Sequence, residues 1–383
     1  MKLRTVMLCL MSSPLVAQTP AGRTCNLVWD NMPDSSHSFS LKNPATQKRT
    51  VWWGGGFKGR CSGTKMIVTS DSAEYTEDPQ LLTLIGHARY REDSTTIDAS
   101  TIRYTISDDQ TVADGDVRVI MRTGNTLAAD QVRYRRPQGR TRPFASAVAT
   151  GHAHLVLRDS VKVADSLATK IDADRLNMER DSLFYAGGNV VITRADIIAK
   201  ADSAETNTGK HTARLLGGSP RIDGRGDRKF AVEGRVLDVF GQVHAIERLF
   251  AKGKAVTVSD SLTLSADTLD IRTTGTVIDR VFAWGPGRAR ATSPDRDVVA
   301  NRIELVMPGQ KLRDLIATGN ARADSKPDST IRSKERDWIL GDTLIATFDQ
   351  SVDVTPSSQP PLRVLTARGN AKSFYQVASK NKS

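Results

Sequence analysis

The chain is short of cysteine, of aromatic side chains and, past its first residues, of long apolar runs. Three of its 383 residues are cysteine and aromatics make up 5%. So few rings exclude a core built on stacked aromatics. With 39% hydrophobic and 25% charged residues, the composition is that of a globular chain with an aliphatic, alanine-rich interior. Beyond residue 17 nothing approaches the roughly 20 apolar residues of a membrane-spanning helix. Acidic residues are also scarce relative to basic ones, 43 against 54, for a formal net charge of +11.

The first residues carry Lys2 and Arg4, then the apolar stretch "VMLCLMSSPLVA" and a small-residue site at Leu15-Val16-Ala17. This reads as a cleaved export signal over 1–17 rather than a buried strand, because no apolar run of that length recurs. Cys9 follows no small residue, which argues against a lipoprotein signal. Cleavage removes Lys2 and Arg4, so +11 falls by two to +9, and it leaves Cys25 and Cys61. An even pair in an exported chain reads as one disulfide within an N-terminal segment, 18–61. It closes a loop of about 35 residues and contributes about 3 kcal/mol. Nothing near it supplies two further ligands at zinc spacing, so no metal and no cofactor is expected. The positive charge implies an anionic partner. Export argues against nucleic acid, leaving acidic polysaccharide or phosphorylated lipid.

What the chain has in quantity is repetition. Glycine, then a polar or small residue, then a short apolar one recurs at Gly86, Gly115, Gly151, Gly188, Gly253, Gly287, Gly319 and Gly369, with Gly218 a degenerate member. The period is mostly 30 to 37 residues, the signature of a repeat architecture. A second motif interleaves: "IDASTIRY" from Ile97, "LAADQVRY" from Leu127, "IDADRLNM" from Ile171, "LSADTLDI" from Leu264 and "VVANRIEL" from Val298. Taking its first residue as n, apolar or small residues stand at n, n+2, n+5 and n+7. A polar corner stands at n+3: Ser100, Asp130, Asp174, Asp267 and Asn301 here, with Asp71, Asp202, Arg235 and Asp342 in looser copies.

In a flat strand n and n+2 share one face, and n+5 and n+7 share the other. All four can face one core only if the strand bends or bulges between them. The small n+2 residue leaves room for the bend, and the corner residue can bond local backbone there. Spacings of 2, 3 and 2 do not fit an amphipathic helix. Each repeat is therefore a bent strand, a short connection, and a second strand that begins near the glycine. Nine repeats give roughly eighteen strands in a long two-sheet β structure.

No catalytic constellation stands out. His152 and His154 share a strand face but lack further metal-ligand partners, and read as solvated surface. "GGGFKGRC" (54–61) lacks the Gly-Lys-Ser/Thr ending and the helix of a phosphate loop, and reads as a tight turn. The recurrent Asp residues stand at too long a period, in too basic a chain, for a calcium-binding β-roll. Asp108-Asp109 lies in a turn-like stretch.

The segments "LTLIGHARYREDSTTIDASTIRYTISDDQTVADGDVRVI" and "LNMERDSLFYAGGNVVITRADIIAKADSAE" resemble the OstA-like domain of periplasmic lipopolysaccharide-transport proteins of the LptA type, found also in LptC and the N-terminal part of LptD. The matching residues are Gly188-Asn189-Val190, its relatives at 86–88, 115–117 and 319–321, and the Ala-Asp corners at 129–130, 173–174 and 266–267, over roughly residues 60–378. The resemblance implies an all-β fold: an elongated, slightly open two-sheet β-jelly roll of about nine repeats of two antiparallel strands. Two such segments, 62–222 and 223–378, are expected, with a flexible insertion at 322–337 and a tail at 379–383. The chain looks about twice the length of one LptA-type domain, and neither the C-terminal barrel of LptD nor the N-terminal anchor of LptC is expected in it.

The resemblance also implies a location and a cargo. It places the chain in the periplasm, in association with outer-membrane assembly, as a binder of lipopolysaccharide or a related anionic glycolipid and not as an enzyme. Acyl chains would lie between the sheets along inward aliphatics: Val132, Leu176, Val190, Ile192, Leu269 and Ile303. Exposed terminal strands would pair with other jelly-roll envelope proteins, or end to end with further copies. Two other readings stand beside it: an envelope scaffold without lipid cargo, favoured by a tightly packed core, and a polysaccharide-acting enzyme, which would need a cleft with aromatic platforms and two acids.

Overall fold

The computed structural model describes residues 25–31, 37–93, 95–138, 140, 142–158, 168–180, 182–225, 229–242, 245–259, 262–275, 277–326, 335–351 and 360–376. The export signal expected at 1–17, residues 327–334 of the insertion expected at 322–337, and the tail at 379–383 lie outside the described residues.

Among the described residues, twenty-six strands form one continuously hydrogen-bonded antiparallel sheet. The fold is all-β, an elongated two-sheet jelly roll. From Ile67 onward each strand pairs with the next in a long meander. Four of these strands are interrupted near their middles, at Asp71, Gly217-Gly218, Gly234-Arg235 and Gly369-Asn370. Counting each interrupted strand as one, eighteen run from Ile67 to Phe374, two for each of nine repeats.

The strands that carry a corner residue change phase near their middles, while the glycine strands between them keep one parity, as at Leu82/Leu84/Ala88/Tyr90 and Phe184/Ala186/Val190/Ile192. In Thr95–Thr105, Ile97 and Ala99 are buried, Ser100 and Thr101 are not, and Ile102 and Tyr104 are buried again. Thr126–Arg135, Thr169–Glu179 and Arg296–Val306 repeat this at Leu127/Ala129/Val132/Tyr134, Ile171/Ala173/Leu176/Met178 and Val298/Ala300/Ile303/Leu305. The phase changes line up from strand to strand. They form a crease along which the sheet folds back on itself, so its two halves face each other over one interior.

The glycine motif does not begin a strand. It sits at the crease, in the middle of its strand: Gly188-Asn189 lies inside Leu183–Thr193 and Gly86-His87 inside Gln80–Glu92. The corner residue of one strand and the glycine of the next are two sides of one joint. Between Asp172↔Val191 and Arg175↔Gly187 the glycine strand carries one extra residue, and Gly188 and Asn189 stand beside Asp174. That is a β-bulge, the local device that bends a strand. Both bulge residues are left-handed, with φ 78° at Gly188 and 49° at Asn189. Such angles favour glycine first and tolerate Asn, Asp or His second, which accounts for His87, Asp116, His152, Asn320 and Asn370 after their glycines.

The corner carboxylate reaches across the joint rather than to its own backbone. A Cβ on Gly188 would stand 2.3 Å from Asp174 Oδ2, and one on Gly86 2.4 Å from Asp71 Oδ2. The residue after the glycine closes over the same carboxylate: Asn189 Nδ2 donates to Asp174 at 2.9 Å, and His87 and His152 pair with Asp71 and Asp130 at 2.8 and 3.0 Å. His154 pairs instead with Asp172, at 2.6 Å, so the two histidines do not converge.

Beside the crease the inward residues are small, and alanine stands next to alanine on neighbouring strands: Ala88↔Ala99, Ala153↔Ala173, Ala255↔Ala266 and Ala289↔Ala300. Larger side chains stand farther out, so the interior widens as a wedge. The N-terminal segment extends both halves. Asn26–Asn31 pairs with Phe57–Ser62 on one, Ser38–Lys42 with Arg49–Trp53 on the other, and Cys25 is bonded to Cys61 with Cα atoms 5.3 Å apart. The expected boundary at 222/223 falls inside the strand Arg221–Gly224, and ladders run across it from Thr212–Leu216 to Val236–Gln242.

The joint can be tested at Gly188. Gly188→Ala meets both the left-handed φ and Asp174, and should cost roughly 1–3 kcal/mol, read as a lower urea midpoint. In an Asp174→Gly background the collision is gone and the further loss should shrink toward the backbone strain alone. Equal losses in both backgrounds would show that Asp174 does not rest on Gly188.

Candidate ligand-binding site

Because each strand crosses the crease once, its two ends lie on the two rims of the wedge. One rim carries Glu92, Met121–Thr126, Leu157, Thr193–Ile197, Ser259 and Thr292–Arg296. The other carries Ser107–Gln110, Arg136, Ser182, Asn207–Thr212, Gly241, Ile246 and Met307–Leu312. The mouth between the rims is where a ligand could reach the interior.

The mouth is closed at three places. At the N-terminal end four rings fill the wedge from the crease outward: Trp29 and Trp53 are 4.8 Å apart, Trp53 and Phe57 5.2 Å, and Trp29 and Tyr75 5.8 Å. Next comes a polar staple. Arg136 Nε donates to Asp109 at 2.5 Å on its own rim, and Arg136 reaches Glu92 on the opposite rim at 3.7 Å. The Tyr104 hydroxyl donates to Asp109 at 2.7 Å, the Tyr90 hydroxyl to Glu92 at 2.9 Å, and the Tyr90 and Tyr134 rings meet edge on at 6.1 Å. Burial opposes the charge of Arg136, but Asp109 and the phenols around it more than compensate and raise its pKa. Burial first, then the hydrogen bond to Asp109, pushes the Tyr104 phenol far up. Burial first, then Glu92, does the same to Tyr90. The third closure is the short 3-10 turn Pro308–Gln310, which lays Gln310 across the wedge. Its side chain is 1% exposed, donates to Ser259 Oγ on the far rim at 3.4 Å and accepts from the Ile278 N–H at 3.4 Å.

Between and beyond these closures two cavities open. The larger, about 470 Å³, is lined within by Leu157, Ile192, Ile197, Leu215, Ile222 and Ile246, and at its mouth by Asn125, Arg158, Arg194, Asn207 and His211. The smaller, about 300 Å³, lies toward the C-terminal end among Leu262, Val298, Leu315, Phe348 and Leu365, with Arg296 and Lys326 at its mouth. Toward Gln310 the larger one narrows to a gap of about 10 Å³ against Phe230, whose ring packs so closely on Gly224 that a Cβ there would collide with it. Both are apolar inside with polar mouths, as small-molecule sites are.

One column of the repeat explains where the cavities fall. The n+7 residues, which face the mouth, are in order Tyr75, Tyr104, Tyr134, Met178, Thr206, Val239, Ile271, Leu305 and Ala346. The three tyrosines coincide with the closed N-terminal part. Thr206 and Val239 line the larger cavity, and Ala346 the smaller. Cavities open where this side chain is small and the neighbouring strands do not fill its place.

Of the six aliphatics expected along a groove, Ile192 lines the larger cavity. Val132, Leu176, Val190, Leu269 and Ile303 lie one alternation from the crease, are at most 3% exposed, and line neither cavity. The corners Asp71, Asp130, Asp174, Asp202, Asp267 and Asn301 all stand on the crease against a glycine of the next strand. Asp109 lies in a turn as expected, but its place in the staple left no mark in sequence spacing. Among the described residues no group of three or more His, Cys, Asp or Glu is placed to hold a metal, and no helix is long and apolar enough to cross a membrane.

Arg136→Met would leave Asp109 buried without its cation and should destabilise by roughly 3–5 kcal/mol in chemical unfolding. A loss below about 1 kcal/mol would mean the pair behaves as surface. The phenols give a pH dependence. Tyr90 and Tyr104 have folded pKa values above the ordinary value of about 10, so stability is full below that pH and falls as pH rises past it. A Tyr90→Phe/Tyr104→Phe variant should have a flatter alkaline limb in thermal melts, and an unchanged limb would refute the assignment.

No family model matches the chain, and no curated protein matches it. Among solved structures the chain is similar to LptH from Pseudomonas aeruginosa, described as the LptA-homologous periplasmic component of the lipopolysaccharide transport device. Identity is 13%, covering 32% of this chain and 93% of that one, with a TM-score of 0.29. A likeness of that size carries no argument about function.

Proposed function

We propose that the protein holds the acyl chains of an anionic glycolipid, lipopolysaccharide or a related molecule, between its half-sheets and performs no chemistry on them. The observation that carries this reading is the coincidence of the cavities with the small n+7 residues Thr206, Val239 and Ala346. The interior is left open in two places by the same repeat that fills it elsewhere. Volumes of about 470 and 300 Å³ reach the range of about 300–1,000 Å³ seen for small-molecule sites. Each methylene taken from water into such a lining contributes about 0.8 kcal/mol. The cations at the mouths and the net charge of +11 suit an anionic headgroup.

The remainder of the reading rests on the motif resemblance together with the terminal strands. It places the protein in the periplasm, in a bridge with other jelly-roll proteins or further copies of itself. Ser38–Lys42 pairs on one side only among the described residues and exposes Phe39 and Leu41, 61% and 57%. At the other end Leu362–Arg368 pairs on one side and exposes Val364, 51%. These are edges able to accept another strand. The scaffold reading also has an observation in its favour, the tight packing from Trp53 to Tyr134.

The column supplies the test. Thr206→Tyr and Ala346→Tyr place in the open repeats the residue that the first three repeats already carry. A fluorescent long-chain fatty acid should lose one class of site in each variant and nearly all binding in the double variant, with melting little changed. Mass spectrometry of extracts from the purified protein should find acyl lipid in the parent and little in the double variant. Unaltered binding in the double variant would sink the cavity reading, and an absence of lipid and probe binding throughout would leave the scaffold.

A further inference from the structure

The outer face of one half-sheet carries an array that the cavities do not use. Strand register sets its side chains in three rows. The first runs Phe240, Arg248, Arg272, Arg280. The second runs Arg214, Asp238, Phe250, Asp270, Phe282, Glu304. The third runs Lys252, Thr268, Trp284, Arg302. Six cations stand against three acids, and two of those acids are covered: Asp238 is 5% and Asp270 3% exposed. What the face presents is positive.

The first row breaks a rule of sheet pairing. Arg248, Arg272 and Arg280 are directly opposed on three successive strands, and like charges so placed are destabilising. Asp270 offsets part of this, accepting from Arg248 at 2.6 and 2.9 Å and from Arg272 at 3.4 Å. Glu304 lies 3.6 Å from Arg280, and aromatic rings supply the rest. Arg272, Arg280 and Arg302 lie 4.9, 6.0 and 5.2 Å from the Phe282 ring, Arg248 and Lys252 lie 5.3 and 4.9 Å from Phe250, and Arg302 is also 5.9 Å from Trp284. Contacts of this kind contribute about 0.5–1 kcal/mol each at exposed sites. They also hold the guanidinium planes in place, so less side-chain entropy is lost when an anion binds. No carboxylate pairs with Arg302 among the described residues.

We propose that this face binds a linear acidic polysaccharide, with the row Arg248, Arg272 and Arg280 engaging anionic groups on successive units and Arg302 and Lys252 flanking the chain. Neighbouring strands stand about 4.8 Å apart, so the row offers a cation at each strand over roughly 10 Å. A lone phosphate could use only part of it. Single-stranded nucleic acid is disfavoured, because its bases need free ring faces for stacking. Here the rings are already covered by guanidinium groups, and Phe282 is 8% exposed. The array lies on the opposite face of the sheet from the cavities and stands or falls independently of the lipid reading.

The test uses the full chain and polygalacturonate oligomers, which carry a carboxylate on every sugar, titrated at several salt concentrations. Arg280→Gln/Arg302→Gln removes two cations, neither of which holds a buried acid. It should weaken binding about tenfold or more and lower the salt slope by about 2. A control, Arg91→Gln/Arg118→Gln, removes equal charge from the other half-sheet and should change little. Neutral dextran should not bind. In the unsubstituted chain, the oligomer should protect Arg248, Arg272, Arg280 and Arg302 from phenylglyoxal, which reads the site without any substitution. No binding, equal weakening by the two double variants, or single-stranded DNA bound more tightly through the same arginines would each overturn the proposal.

Discussion

Everything in this fold depends on one short-range contact, the corner side chain of one strand resting on the bare Cα of a glycine in the next. At Asp174 and Gly188 the two are so close that no other residue could occupy the glycine position without displacing the carboxylate. The contact needs the left-handed pair that makes the bulge, and the corner strand's inward face shifts there by one residue, as from Ala201 to Ala204. Repeated down the sheet, the shift becomes a crease and one meander encloses an interior. Alanines stand side by side on neighbouring strands next to the crease.

Distance from the crease then governs everything inside the wedge. One alternation out, aliphatics of ordinary size meet across it and the core is dry and closed. Two alternations out, the gap is wide enough that the identity of a single column of residues decides whether it is filled. Tyrosine fills it; threonine, valine and alanine leave space. Polar groups complete the closure in two places, and they do so by satisfying one another. Arg136 is buried together with Asp109, and Gln310 with Ser259 and the Ile278 amide. A buried charge or amide is tolerable only with such partners.

The period of two separates the remaining properties. On the strands from Val236 to Val306, inward residues such as Leu249, Ile271 and Val281 line the apolar interior. Their neighbours Arg248, Arg272 and Arg280 stand on the opposite face. An apolar interior and a cationic exterior are thus written into the same strands without competing, and charge density on one face carries no desolvation cost for the other.

The sequence by itself determined the number of repeats, the all-β class and the need for a phase change, since spacings of 2, 3 and 2 among apolar residues permit no flat strand. It also contained the column Tyr75, Tyr104, Tyr134, Met178, Thr206, Val239, Ile271, Leu305 and Ala346, whose sizes foreshadow the cavities but mean nothing until that position is known to face the mouth. Only the tertiary structure decided what each corner touches, because the glycine it rests on lies 14 to 27 residues away and belongs to the next strand. It moved the glycine motif from strand beginnings to strand centres, and it placed Ile192 on the larger cavity. It brought Glu92, Asp109 and Arg136 into one staple. Local spacing reports the period of a strand; which ends of which strands meet across a wedge is fixed by the fold-back of the whole sheet, and no local pattern encodes it.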